Sequence, residues 1–371
     1  LLRSSNILQL FWQHHAVLLY NESMTMLTYN YRIKDSVSRK HLVQMSSSVN
    51  YVWNYCNSVS IKAFRRDKTF LSAYDLDKLT AGTSKELRLH SQTTQSICSE
   101  YVTRRRQFKK IKLKWRSRKR SQGWIPFKAS GIRLAGDTVT YCGHRFRLWL
   151  SRPVLGTIKS GSFTQDSRGR WYVSFQCDVP ELHGPPAPAE VGIDLGLKDQ
   201  IACTHLPEPL SRANITRYYA EPLAKAQRAR KKKRVKALHA KIANVRKDWT
   251  HKVTTAIARA SRLIVVGNVS STKLAKTRFA KSTYDAAWGS TRTLLAYKAI
   301  RLGGQYVEVS EFRSSCTCSA CDAVTGPRGL RQLDVRAWTC SACGAVHQRD
   351  INSAHIHLRR GRATLSGIPR L

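Results

Sequence analysis

At 371 residues, 42% of them hydrophobic, the chain is long enough for two or three domains with real cores, which excludes a simple basic tail. Lys and Arg number 64 against 23 Asp and Glu, a formal net charge of +41. Self-repulsion on that scale calls for a polyanionic partner. Nucleic acid is the first expectation, because neutralising phosphates releases their counterions. A membrane surface fits less well, since no long apolar anchor is present. The ten cysteines read as belonging to a reducing cytoplasm with a metal site, not to a disulfide framework.

Residues 1–25 read as an extension ahead of the folded chain. Ile7 to Tyr20 is apolar but interrupted by Gln9, Gln13, His14 and His15, too short and broken for a membrane span. The first methionines are Met24 and Met26, and the fold is expected to start near them. Met26 to Lys34 alternates as a strand. Leu42, Met45, Val49, Val52, Cys56 and Val59 recur at helical spacing. A second helix is expected over about 84–110, running into a basic stretch at 103–120. Arg104, Arg105, Arg106, Lys109, Lys110, Lys112, Lys114 and Arg116 are its candidate phosphate contacts. Phe108 and Trp115 interrupt it with rings able to stack on bases.

Residues 124–180 read as successive strands with turn residues between them, a β-barrel or curled sheet completed by the early strand. On that reading 26–37 and 121–183 form the barrel and 38–120 is a helical insertion. GPPAPAE at 184–190 is a linker by composition. Beyond it, VGIDLGLKDQIACT reads as strand, turn and strand. A long helix over about 221–260 follows, with the apolar stripe Leu238, Ile242, Val245, Trp249, Val253 and Ile257. Its first half is crowded by Arg228, Arg230, Lys231, Lys232, Lys233 and Arg234, the second set of candidate nucleic-acid contacts. A buried strand at 263–269, a helix near 285–302, a strand at 305–311 and a last helix from Asp350 complete the order.

Two features carry chemistry. Cys318, Cys321, Cys340 and Cys343 form C-x2-C-x18-C-x2-C, the spacing of a tetrahedral four-thiolate ribbon. Four thiolates close the coordination sphere, so a zinc held there is structural. Cys316 and His347 lie close enough in sequence to stand in for a ligand, though the paired spacing favours the four. The second feature is Asp194, at the polar end of an apolar strand in GIDLG, together with Asp350 at the head of the last helix in QRDIN. Taken singly, a strand-end turn and a helix cap account for them. Taken together, with strand–strand–strand–helix–strand–helix–strand–helix between them, they resemble an RNase H-like core. In such a core, carboxylates converge to hold two Mg2+ ions for phosphodiester hydrolysis.

The second half resembles the RuvC-type nuclease of the TnpB family, RNA-guided endonucleases of insertion sequences. The matching pieces are GIDLG around Asp194, RKDWTHK at 246–252, the stretch 265–299, SSCTCSAC at 314–321 and CGAVHQRDINSAHIH at 343–357. The first half is similar only in outline, as a barrel (the wedge) carrying a helical recognition insertion. The resemblance implies a multidomain α+β protein with a RuvC-like domain at 191–313 and 346–371, interrupted by a zinc ribbon at 314–345. It also implies structural Zn2+, catalytic Mg2+, a guide RNA from the transposon end, a double-stranded DNA target, no membrane, and the cytoplasm of a prokaryotic host near its nucleoid. One departure matters. Many relatives carry a middle catalytic glutamate where Gly267 stands here. Some members, and the Fanzor proteins, place it on the strand before the ribbon. That strand carries Glu308 and Glu311, which alternation puts on opposite faces. Glu311 matches the relocated position, and Asp194, Glu311 and Asp350 are the expected metal-binding, catalytic triad. Gly267 keeps a second reading open, a nuclease-dead RNA-guided DNA-binding protein. A strand-transfer transposase is the third.

Overall fold

The computed structural model describes residues 24–34, 38–180, 188–197, 199–211, 215–268, 286–328, 332 and 334–366. The expected extension through residue 23, the linker up to residue 187 and residues 269–285 of the 265–299 motif lie outside these residues.

The first half is a seven-stranded antiparallel sheet curled into a nearly closed barrel. Its strands are β1 (Met24–Ile33), β2 (Trp124–Lys128), β3 (Ile132–Ala135), β4 (Thr138–Tyr141), β5 (His144–Trp149), β6 (Thr157–Gln165) and β7 (Trp171–Pro180). They lie in the order β2-β6-β7-β1-β5-β4-β3. β1 starts two residues before its sequence signal, because Met24 and Thr25 continue the ladder to Pro180 and Val179. Inward positions are filled by rings: Tyr31, Phe127, Tyr141, Phe146, Phe163 and Phe175 are buried. Phe127 of one edge strand lies 6.2 Å from Tyr141 on β4, so side chains fill the seam between the sheet edges. Each such ring stabilises the fold by about 1.5–3 kcal/mol through burial alone.

Between β1 and β2 stand α1 (Ser38–Asp67), α2 (Ala73–Leu79), α3 (Thr83–Glu86) and α4 (Ser91–Phe108). The helix expected from residue 84 is therefore two: it breaks at Leu87–His90, and His90 Nδ1 caps α4 by accepting from Gln92 N at 3.3 Å. At the other end Lys109 adopts a left-handed conformation (φ +49°) that stops the helix. The chain beyond it runs extended along α1, gripped by a row of asparagines. Asn57 donates to Leu113 O and accepts from Leu113 N (2.9 and 3.1 Å). Asn54 does the same for Arg116 (both 2.8 Å). Asn50 accepts from Arg116 Nε at 2.8 Å. Spacings of four and three place these asparagines on one helix face.

The second half is an α/β layer. Its elements are β8 (Ala189–Asp194), β9 (Ala202–Cys203), α5 (Ile215–Tyr218), α6 (Ala220–Arg228), α7 (Lys232–Ala260), β10 (Ser261–Gly267), α8 (Trp288–Arg301) and β11 (Gln305–Val309). After these come β12 (Ala337–Thr339), β13 (Val346–Gln348) and α9 (Arg349–Leu365). The sheet order is β11-β10-β8-β9, with β8, β10 and β11 parallel and β9 antiparallel. The third strand of the expected order is reduced, among the described residues, to a single bridge between Ile201 and Leu210. The expected long helix breaks around Arg230, which takes φ +50°, giving α6 and α7. Alternation assigns the faces: Val191, Ile193, Ile264 and Val266 pack toward α7 and α8, while Leu263, Val265 and Val309 pack against Leu358 of α9. α9 approaches so closely that a side chain at Gly192 would collide with the carbonyl of Ala354.

Candidate metal centres and nucleic-acid surface

The α9 face of the sheet determines where the acidic site forms. β8 ends with Asp194, on the same face as Gly192. In the parallel register Val266 pairs with Ile193, so Gly267 at the end of β10 stands beside Asp194. Gly267 also pairs with Val309 on β11, and Glu311 follows two residues later, on that same face. β10 therefore lies between the strands that bring Asp194 and Glu311. Glu311 reaches across it: a Cβ built on Gly267 would stand 2.7 Å from Glu311 Oε1 and 2.8 Å from its Cγ. The carboxylate of Glu311 fills the room left by the missing side chain. Glu308 turns to the opposite face, where it meets Arg292 of α8 (3.4 Å) and Tyr306 Oη (2.8 Å).

Asp350 enters from the first turn of α9. The cap of that helix is Gln348, whose Oε1 accepts from Ile351 N at 2.6 Å. Asp350 is thus released from capping. Burial raises Asp194 well above its ordinary value, and the charges of Glu311 and then Asp350 push the same way. Burial also raises Asp350, against the pull of Arg336. Arg336 belongs to the ribbon and donates to Asp350 Oδ2 at 2.8 Å. Sequence reading missed it, and also Asp199, whose charge acts on Asp350. Neither has a motif of its own; both come to the site through tertiary packing. No ion is part of this structure. Among the described residues only the four cysteines bring ligand atoms close enough together to hold an ion as they stand; the acids gather at the end of the sheet, where the charges of Glu311 and Asp350 disfavour that of Asp194.

The ribbon holds the second centre. Ligand atoms of Cys318, Cys321, Cys340 and Cys343 all lie within 4.8 Å of one another. Cys318 to Cys343 is 3.7 Å and Cys321 to Cys340 3.6 Å. These separations are too long for disulfides. They are close to the ~3.8 Å edge of a tetrahedron with Zn–S near 2.3 Å. The two knuckles repeat one hydrogen-bond pattern. Cys318 N donates to Ala323 O and Asp322 N to Cys318 O; Cys340 N donates to Ala345 O and Gly344 N to Cys340 O. Thr325 donates to Cys340 Sγ and, with other donors, draws that thiol down to about 6. Of the two alternative ligands, His347 approaches Cys318 Sγ at 3.0 Å, a position from which it hydrogen-bonds the sulfur. The Cys316 thiol points to Arg313 O. Asn352 of α9 ties the ribbon to the acidic site. It accepts from Ser319 N (2.9 Å) and donates to Thr317 O (2.7 Å) and Ser314 O (3.3 Å).

The basic residues divide. Arg106, Lys109, Lys110, Lys112 and Lys114 are exposed, beside exposed Phe108 and Trp115. Arg228, Arg230, Lys231, Lys232, Lys233 and Arg234 are all exposed around the break between α6 and α7. Arg105 is a correction: it is buried at 4% exposure, donates to Leu71 O at 2.6 Å and stacks on Phe70 and Tyr101. Helical phase places it inward between two outward neighbours. Arg116 is half-buried between Trp53 and Trp124, with its Nε committed to Asn50. Arg104 pairs with Glu100 at 2.6 Å. Among the described residues no helix is long and apolar enough to cross a membrane.

This fold, with its acids gathered at the end of the sheet and its four-cysteine insertion, defines the class: an RNase H-like α/β domain of nuclease type with a zinc ribbon, joined to a β-barrel. A family model described as "Cas12f1-like, TNB domain" matches residues 288–356, from α8 through the ribbon into α9. A protein of Streptomyces pristinaespiralis to which RNA-guided DNA endonuclease activity is ascribed is 32% identical over 268 residues, covering 67% of this chain and 65% of the relative. The InsQ protein of Escherichia coli K12, ascribed the same activity, is 29% identical over 246 residues, covering 58% of this chain and 60% of the relative. The chain thus spans just under two thirds of the length of these curated relatives. Among solved structures, Cas12f1 in its complex with guide RNA and target DNA superposes with a TM-score of 0.57 over 88% of this chain and 83% of that one, at 13% identity, a likeness of fold. These sequence matches support assigning the chain to the TnpB/Cas12f1-like family.

Proposed function

We propose that the chain is a transposon-associated, RNA-guided DNA endonuclease that hydrolyses target phosphodiesters at a single RuvC-like site. The observation that carries this reading is the placement of Glu311: it crosses Gly267 to join Asp194, so the site regains the acid that its middle strand lacks. Asp194, Glu311 and Asp350 would hold Mg2+. The ions would activate a water and stabilise the departing oxygen. The protein's part is to keep three acids in one small space, to balance Asp350 with Arg336, and to bring a polyanion there. The exposed bases of 106–114 and 228–234 would track RNA and heteroduplex phosphates, while guide pairing reads sequence. Cys318, Cys321, Cys340 and Cys343 would hold a structural Zn2+. Relatives from bacteria support a prokaryotic cytoplasm as the setting, close to the nucleoid.

The test is to express the protein with its element-end RNA and to supply a randomised target library and Mg2+. Guided double-strand cleavage that Asp194→Ala abolishes is the expected result. Guided binding without cleavage would establish the nuclease-dead reading instead. Purification free of RNA, with binding to transposon ends alone, would favour strand transfer.

A further inference from the structure

The glutamate that crosses Gly267 does not do so unaided. His357, on α9 two turns after Asp350, is fully buried, and its Cε1 lies 2.6 Å from where a Cβ of Gly267 would be. The ring edge and the Glu311 carboxylate therefore share the slot that the glycine leaves open. Nδ1 of His357 stands 2.9 Å from the carbonyl of Ile193, the residue before Asp194, and 4.0 Å from Asp194 Oδ1. A carbonyl only accepts, so Nδ1 carries the proton and the ring braces the end of β8. Nε2 is buried and has no hydrogen-bond partner among the described residues. One turn on, Arg360 donates to Ser310 O (2.6 Å) and Phe312 O (2.8 Å), the two carbonyls flanking Glu311. Asn268 Oδ1 accepts from Glu311 N at 3.4 Å.

We propose that His357 and Arg360 are positioning residues for the displaced carboxylate: Arg360 fixes the backbone on both sides of Glu311, and His357 closes the Gly267 slot while holding Asp194 in line. A side chain at 267 would then force the His357 ring or the Glu311 carboxylate to shift. The inference rests on the metal-binding role proposed for Asp194, Glu311 and Asp350.

The test uses the zinc-loaded full chain without RNA, with Mn2+ binding followed by electron paramagnetic resonance, alongside cleavage by the guide complex across a Mg2+ titration. His357→Leu keeps the volume and loses the bond. It should weaken Mn2+ binding by about 10–100-fold, and raise the Mg2+ needed for half-maximal cleavage while guided target binding stays unchanged. His357→Asn, whose amide reaches the same carbonyl, should recover most of the affinity. Arg360→Gln should shift the Mg2+ requirement in the same direction. Wild-type Mn2+ affinity in His357→Leu overturns the proposal. Should that variant fail to fold, Gly267→Ala decides, since its methyl must displace ring or carboxylate; unchanged affinity there is equally fatal. A wild-type chain that binds Mn2+ with this dependence but never cuts a guided target would overturn the endonuclease reading and leave the positioning intact. A wild-type chain that binds no Mn2+ would overturn the positioning itself.

Discussion

The chain carries two candidate metal centres built on opposite plans. The four thiols lie within one short stretch, and each knuckle closes on itself through its own backbone bonds. The three acids come from β8, the end of β11 and the head of α9, and nothing local holds them together. The ribbon is therefore a centre whose ion completes a local fold, whereas the acidic site is one the fold must force together. Asp194 bears the mark of that setting: burial first, and then the charges of Glu311 and Asp350, raise it well above its ordinary value.

That contrast predicts opposite consequences for losing a ligand. Asp194→Asn should cut cleavage by at least ~10^3-fold and yet raise the thermal stability of the Mg2+-free protein, because a buried, repelled carboxylate is gone. A fall in melting temperature would count against the crowding described here. Cys340→Ser should do the reverse. Zinc affinity should drop by more than the ~100-fold that losing an outer hydrogen-bond partner costs, and the ribbon should open, as zinc content and hydrogen exchange at 318–345 would report. Full zinc occupancy in that variant would return Cys316 or His347 to the ligand set.

Asn352→Ala probes the join between the two centres. Its three hydrogen bonds span ribbon and α9, so their loss should destabilise locally by about 2–3 kcal/mol, read as faster exchange at 314–319 with zinc retained. The smallest effect is on pH dependence. Asp194 holds its proton in the folded state to a higher pH than the unfolded chain does, near 3.9. The native state therefore binds more protons between those two values, and the stability of the Mg2+-free, zinc-loaded protein falls as pH rises through that window. Melts from about pH 4 upward should show this slope in the wild type and a shallower one in Asp194→Asn.

How much was legible follows the same division. The zinc knuckles could be read because ligand spacing is a property of a few consecutive residues. The barrel strands, α1 and most of the stripe of α7 could be read because burial imposes a period on sequence; Val245, expected in that stripe, is instead 40% exposed. Asp194 and Glu311 were singled out by their places on strands and by family likeness. The division between exposed and buried arginines was not legible: Arg105 and Arg106 are neighbours of one type, and only the packing of α4 against Phe70 and Tyr101 separates them. The asparagine grip on the basic stretch was equally hidden, since Asn50, Asn54 and Asn57 read as ordinary polar positions until their partners sixty residues away arrive.

By itself, then, the sequence determined a strongly basic chain, a barrel followed by an α/β domain, and the four thiols of one centre. Periodicity, net charge and short-range spacing survive without coordinates. Only the tertiary structure showed that the space beside Gly267 is filled by Glu311 and His357. The space that Glu311 occupies belongs jointly to β10, β11 and α9, and only their packing makes Gly267 and His357 its walls.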